Sequence, residues 1–237
     1  MKIILLVISI LTVSQVGAQD STTVFVAAGR SIYEAATPAR MYRFPKFSPG
    51  KIFFRDGTTT GGNLNYNLFN EEIEFITAQG DTMAIAKHQM LNIGRVAVSN
   101  KSFYFNNYLK HGYLEEVLDA QTGKLFKRER YALVNREKIG GYNQPSATSA
   151  IESYGNFTNN QGVMETNLLV KENLTFKKRT DYFFSDKFNH SIPANKKNLY
   201  RVFSKKKNGI DKYLNNNQVD FNKEEDLVRL LSYLQSI

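Results

Sequence analysis

Along Leu64-Asn65-Tyr66-Asn67-Leu68 apolar and polar side chains alternate, and this two-residue period restricts the chain more than any other feature of it. It is the period of a β-strand, whose successive side chains point to opposite faces. One face is expected to look inward and the other at water. The alternation stops at Asn70-Glu71-Glu72, resumes at Ile73 and Phe75, stops again at Gln79-Gly80-Asp81 and resumes at Met83 and Ile85. Breaks this short join antiparallel neighbours, because a parallel crossover takes about a dozen residues or more. The stretch from Gly50 to Lys87 therefore reads as a meander.

The same signals recur on both sides of it. Val24 and Val26 mark an entry strand, and Pro38, Pro45 and Pro49 discourage a long element after it. Tyr33, Tyr42, Phe44 and Phe47 are expected to pin that segment onto the sheet. Strands are expected at Lys51 to Arg55, ahead of the turn Asp56-Gly57, and at Arg95 to Ser99, Ser102 to Phe105 and Tyr113 to Leu118. Gly123 is expected to give the next hairpin loop its positive φ. The returning arm, Leu125 to Val134, is interrupted by Lys127, Arg128, Glu129 and Arg130, which predicts an edge strand or a solvated bend. Asn135 to Gly162 lacks any period and is expected to be a functional loop or a mobile stretch. Gly61-Gly62 and Gly140-Gly141 read as turns or bulges. Val163 to Glu172, Leu174 to Arg179 and Asp181 to Ser185 complete the set. Strands this regular predict a mainly β protein (α+β overall), one antiparallel sheet that is closed or folded over itself.

At Pro193 the period changes to that of an amphipathic helix. Leu199, Val202 and Phe203 stand at i, i+3, i+4, and Leu227, Leu230, Leu231 and Leu234 extend the pattern to i+7. Helices are expected at Lys196 to Phe203, Lys205 to Asn215 and Lys223 to Ser236. Asn222 and Glu225 have the spacing of a reciprocal N-terminal cap. Gly209 weakens the second helix by about 1 kcal/mol against alanine. The expected organisation is a leader over 1–18, a β domain over 19–192 and a C-terminal helical segment over 193–237.

The leader follows from Lys2, the apolar run to Val16, and Val16-Gly17-Ala18 ahead of Gln19-Asp20, the pattern of a secretory signal peptide cut after Ala18. Its run is shorter than the roughly 18 to 20 residues that span a bilayer. The processed chain is expected to be periplasmic or otherwise extracytoplasmic and not to span a membrane. The absence of cysteine excludes a disulfide framework, a thiolate metal site and a lipid-bearing cysteine. The net charge of +9 becomes +8 without Lys2 (9 − 1) and favours anionic surroundings.

The charge is concentrated in Lys196, Lys197, Arg201, Lys205, Lys206, Lys207 and Lys212, with only Asp211 opposing it. That run is expected to be an anion-binding face for acidic lipid or glycan, or simply the wet side of a helix pair. A second candidate surface is aromatic: Tyr104, Tyr108, Tyr113, Tyr142 and Tyr154 cluster around the long loop and are expected to bind a ligand. His88, His111 and His190 stand far apart without metal-ligand spacing, so neither a metal nor a cofactor is expected. There is no G-x-S-x-G elbow, no phosphate loop and no nucleic-acid motif, and no nucleic-acid partner is expected. Glu115 and Glu116 sit side by side in a strand and must face opposite ways. If one is buried, it needs a cation such as Arg128 or Arg130.

Leu64-Asn65-Tyr66-Asn67, Gly80-Asp81-Thr82, Lys197-Asn198-Leu199, Val219-Asp220-Phe221 and Asp226-Leu227 together resemble a group of uncharacterised exported proteins of Bacteroidetes. The resemblance runs from about Lys51 to the end. It implies a Gram-negative envelope and a β domain with a helical tail, and it implies no catalytic residue. The function expected is a non-enzymatic envelope protein that binds a ligand or another envelope protein. The alternatives are a hydrolase using carboxylates of the β domain, and a scaffold subunit that docks through its C-terminal helices. A helical ending also argues against an outer-membrane barrel.

Overall fold

The computed structural model describes residues 22–106, 112–120, 123–138, 169–186 and 190–237. Its strands are β1 (Thr23–Val26), β2 (Ser48–Phe54), β3 (Thr59–Asn67), β4 (Glu72–Ile76), β5 (Thr82–Ala84), β6 (Ile93–Val98), β7 (Lys101–Phe105), β8 (Tyr113–Ala120), β9 (Gly123–Glu137), β10 (Asn173–Ser185) and β11 (Ser191–Pro193). They form one sheet in the order β1-β10-β9-β8-β7-β6-β2-β3-β4-β5, with β11 paired to β10. The path is open, with β1 and β5 at its ends, and its neighbouring strands are all antiparallel. Short helices α1 (Ile32–Ala35), α2 (Pro38–Met41) and α3 (Lys87–Met90) interrupt the strands. The C-terminal layer holds α4 (Lys196–Val202), a 3-10 turn (Ser204–Lys206), α5 (Lys207–Asn216) and α6 (Glu224–Ser236).

The meander has local causes. Ser99 and Asn100 carry φ of 47° and 59°, so the two-residue turn between β6 and β7 has the primed geometry that suits strand twist. Gly57 and Gly80, at φ 88° and 91°, close the turns before β3 and β5. Beyond the end of β8, the Tyr131 N–H of β9 donates to the Leu68 carbonyl at 2.9 Å. The sheet thus bends back on itself without closing.

Two apolar clusters hold the fold. The first gathers Val24, Leu64, Tyr66, Ile73, Val96, Phe103, Tyr131 and Phe176 from across the sheet. The second sets Leu125 and Phe184 of β9 and β10 against Leu199, Phe203, Ile210, Leu227, Leu230, Leu231 and Leu234. Each buried leucine contributes about 1.5–3 kcal/mol. The helices are therefore a second layer packed on the sheet, with Leu199, Phe203, Ile210 and the four leucines of α6 buried in the second cluster.

Several expectations are corrected. Asn65 and Asn67 do not face water: they are 0% and 2% exposed. Segment 42–47 covers that face, and Asn65 offers Oδ1 to the Phe44 N–H (3.1 Å) and Nδ2 to the Phe44 carbonyl (3.0 Å). The charged arm is not an edge strand: β9 lies between β8 and β10. Leu174 to Ser185 is a single strand, because the unbroken partner β9 keeps the ladder going through Thr180 opposite Glu129. Gly61 and Gly62 lie inside β3, paired with Lys51 and Gly50. Gly123 has no positive φ and is required for space, since a Cβ there would stand 2.7 Å from the Ser185 carbonyl and 2.8 Å from the Phe203 ring. Lys223, without a side-chain bond, takes the N-cap position of α6 expected for Asn222. Asn195 caps α4 instead, accepting the Asn198 N–H at 2.9 Å. Of the loop expected at Asn135 to Gly162, 135–137 belong to β9 and 139–162 lie outside the described residues; of the strand expected at Val163 to Glu172, only 169–172 are described, and they hold a single bridge from Leu169 to Ser31 followed by a bend.

Candidate functional site

The charges that interrupt β9 fall into place on its inner face. Alternation sends Leu125, Lys127, Glu129 and Tyr131 the same way. Leu125 enters the second apolar cluster and Tyr131 the first, so Lys127 and Glu129 occupy the seam between them. Register adds Glu115 of β8 directly opposite Lys127. Arg43 reaches in from segment 42–47, its Nε 2.8 Å from Glu115 Oε2 and 3.2 Å from Glu129 Oε2. Lys127 Nζ lies 3.5 Å from Glu115 Oε1 and 3.0 Å from Glu224 Oε2 on α6. Lys178 and Lys101 close the seam at 3.3 Å from Glu129 and 3.7 Å from Glu115.

Burying charge is costly unless it is paired, and here every acid has a cation. Arg43 grips Glu115 through two hydrogen bonds, while Glu129, whose buried Oε2 makes no hydrogen bond among the described residues, lies within ion-pair distance of Arg43, Lys127 and Lys178. Tyr182, opposite Lys127 on β10, has its hydroxyl pushed up to about 12, first by burial and then by the fields of Glu224 and Glu129. The partner of Glu115 is thus Arg43, neither Arg128 nor Arg130. Those two point to the other face, where Arg128 grips Glu71 at 2.5 and 2.8 Å and Arg130 lies 3.6 Å from Asp181. Glu116, also on that face, accepts from Lys124 at 2.9 Å.

A different buried acid has no cation among the described residues. Glu74, 7% exposed, accepts from the Tyr42 hydroxyl and from Asn67 Nδ2, each at 2.8 Å. Burial raises its pKa above the ordinary carboxylate value, and these hydrogen bonds offset only part of that.

The outer face of the helical layer is the reverse of the seam. Lys196, Lys197 and Arg201 on α4, Lys205 in the 3-10 turn and Lys207 at the start of α5 are all exposed, and none makes an ion pair among the described residues. Asp211 makes no ion pair with them among the described residues; it accepts from the Tyr200 hydroxyl at 2.6 Å and so ties α5 to α4. Lys206 departs from the expected set: it is half-buried and donates to the Ile237 main-chain oxygen. Two clefts flank this face. One, of about 550 Å³, lies between the β10–β11 hairpin and the end of α4 and is lined by Asp186, His190, Ser191, Ile192, Arg201 and Val202. The other, of about 680 Å³, includes Lys196, Leu214, Val219, Phe221 and Lys223.

The aromatic candidates do not form one surface. Tyr104 is half-buried, 5.4 Å from the Phe126 ring, with Lys124 Nζ 5.1 Å over its own ring. Its cross-strand partner is Leu114, so the next residue, Tyr113, points to the opposite face and is only 1% exposed. Burial, then the field of Glu72, raises the Tyr113 hydroxyl above its usual range. Tyr108, Tyr142 and Tyr154, like His111, lie outside the described residues. No cluster of three or more metal-ligating side chains occurs among the described residues. No described helix is long and apolar enough to cross a membrane.

Arg43 is the participant that spacing could not find, since it stands 72 residues from Glu115. The one signal was its place between Tyr42 and Phe44, in a segment whose aromatics had to lie on the sheet. No protein-family model, curated protein or solved structure matches the chain.

Proposed function

We propose that this chain is an exported, non-catalytic protein of the bacterial envelope that binds an anionic membrane surface through the outer face of α4 and α5. The observation that carries the proposal is the set of five exposed cations, Lys196, Lys197, Arg201, Lys205 and Lys207, without acidic partners among the described residues, on a layer packed on the sheet. A Lys or Arg near an anionic bilayer contributes about 1 kcal/mol. Five contribute about 5 kcal/mol, or a preference over a neutral surface on the order of a thousandfold or more.

Two features support the rest of the reading. The seam acids are all engaged by cations, which favours a structural over a catalytic role for them. Leu199, Phe203, Ile210 and the four leucines of α6 are buried in the second cluster, which disfavours a scaffold that docks through them. Export rests on the leader pattern at residues 1–18.

Flotation of the mature chain, starting at Gln19, with phosphatidylcholine vesicles of rising phosphatidylglycerol content tests the proposal. Bound fraction should rise with the anionic lipid and disappear near 1 M salt, where the Debye length shrinks to about 3 Å. Equal binding to pure phosphatidylcholine, or none to either, rejects it.

A further inference from the structure

The cleft of about 680 Å³ is built from one continuous run of described chain, 190–237. α5 ends at Asn216, Asn217 turns to extended backbone, and the linker 217–223 runs to α6 without helix. The linker is tied down by its own hydrogen bonds. The Asp220 N–H donates to Asp226 Oδ2 at 2.9 Å, Asp220 Oδ1 accepts the Asn222 N–H at 2.9 Å, and the Asp220 carbonyl accepts the Lys223 N–H at 3.0 Å. Val219 and Phe221 anchor it on the second apolar cluster, with the Phe221 ring 6.3 Å from that of Phe184. The volume falls in the range of small-molecule sites, roughly 300–1,000 Å³.

Lys196 and Lys223 line this cleft, are exposed and make no ion pair among the described residues. Of its two acids, Asp226 is engaged within the protein, Oδ2 by the Asp220 N–H and Oδ1 by Arg229. Asp220 is exposed and has no cation among the described residues, its Oδ1 being held by Asn222. The two lysines against Asp220 leave a surplus of one positive charge. Asn217 Nδ2 donates to the Tyr213 carbonyl at 2.9 Å, which leaves its Oδ1 to accept, and Gln218 adds an exposed amide. A purely apolar ligand would strip water from Asp220 and the two amides without replacing its hydrogen bonds. A bare anion would answer the lysines and be repelled by Asp220. A ligand with one negative charge and several hydroxyls satisfies both, because a hydroxyl donates to a carboxylate and to an amide oxygen and still accepts from an N–H. We infer that this cleft binds a uronate sugar of an acidic glycan. Its carboxylate lies at the lysines, its hydroxyls on Asp220, Asn217 and Gln218, and the C–H face of its ring against Phe221. The inference goes beyond the membrane reading and does not rest on it, although Lys196 belongs to both surfaces.

The test uses the mature chain and amide chemical-shift titration with methyl glucuronide, its neutral analogue methyl glucoside, and acetate in parallel. Methyl glucuronide should bind at least tenfold more tightly than either of the others, with the largest shifts at 217–223. Lys223→Gln, outside the basic face of α4 and α5, should weaken methyl glucuronide at least threefold and leave methyl glucoside unchanged. Asp220→Asn separates a sugar from a simple anion, because it keeps the oxygen that Asn222 bonds and removes a negative charge. A bare anion would then bind more tightly, whereas a ligand whose hydroxyls donate to Asp220 should bind at least threefold more weakly. Tighter binding of methyl glucuronide to Asp220→Asn overturns the inference. So does acetate or methyl glucoside binding as tightly as methyl glucuronide, or no binding by any of the three. If Asp220→Asn fails to fold, the Lys223→Gln comparison decides alone, and equal weakening of both sugars there counts against the site. Vesicle flotation is a separate readout. Its failure with this site intact would sink the membrane reading alone, and a failed titration with flotation intact would sink this site alone.

Discussion

Lys127 of β9 donates to Glu224 in the first turn of α6 across 3.0 Å, joining the sheet to the helical layer at the seam between the two apolar clusters. The two partners are not equivalent. The Lys127 side chain is 8% exposed and also faces Glu115, whereas Glu224 is 33% exposed. Removing the buried partner of an ion pair costs about 3–5 kcal/mol, while loss of a solvated one costs about 1 kcal/mol or less. Lys127→Ala should lower stability by about 3 kcal/mol in urea unfolding at neutral pH, and Glu224→Gln by less than about 1 kcal/mol. Equal losses would mean that the seam is wetter than its burial indicates.

Glu74 gives stability a pH dependence of opposite sign to the usual salt-bridged acid. Its pKa is raised in the folded state, first by burial, so its contribution is fully present below the ordinary value of 4.5 and is lost as pH climbs through the raised one. Glu74→Gln, which removes the charge, keeps an oxygen to accept from Asn67 Nδ2 and turns an amide N–H towards the Tyr42 hydroxyl, should gain stability relative to the natural chain as pH rises from 4 to 8. Urea midpoints across that interval measure it, and a gap that narrows towards pH 8 would contradict it.

Two crowded glycines should respond differently to alanine. At Gly123 the added Cβ meets the Ser185 backbone carbonyl and the Phe203 ring, neither of which can swing away. Gly123→Ala should cost about 1–3 kcal/mol, as overpacking does. At Gly209 the Cβ meets the Ile237 side-chain end, and Ile237 is 52% exposed and can move. Gly209→Ala should be neutral or stabilising by up to about 1 kcal/mol through helix propensity. Thermal unfolding of the two variants separates the cases.

Ending the chain at Pro193 should abolish folding and leave no smaller stable β domain. Leu125 and Phe184, both 0% exposed, would be stripped of their cover, and Lys127 would lose Glu224. A soluble truncated protein with cooperative unfolding would show that the helices are an appendage.

Much of the fold was legible because its cause is local. The alternation at Leu64 to Leu68 and the i, i+3, i+4, i+7 leucines of α6 report burial directly, and the strands and helices lie close to where those periods placed them. What was misread depends on contacts across the chain. Asn65 looks solvated until Phe44 is laid over it, and Lys127 and Glu129 look like an edge until Arg43 arrives from far upstream. Gly123 signals a turn but answers to Phe203, which belongs to another layer. At the candidate site the basic run was legible as charge density. The clefts beside it were not, since they arise where the β10–β11 hairpin and the loop before α6 come to rest against α4.

The most direct measurement is flotation of a Lys196→Glu, Lys197→Glu, Lys205→Glu variant beside the natural chain, on vesicles with 30% phosphatidylglycerol in 0.1 M salt. All three side chains are exposed and make no ion pair among the described residues, so circular dichroism and unfolding should be unchanged. Removing three contributions of about 1 kcal/mol should weaken binding by a factor on the order of a hundred, and the reversed charges should weaken it further. Binding that matches the natural chain would show that the anionic surface is met elsewhere on the molecule.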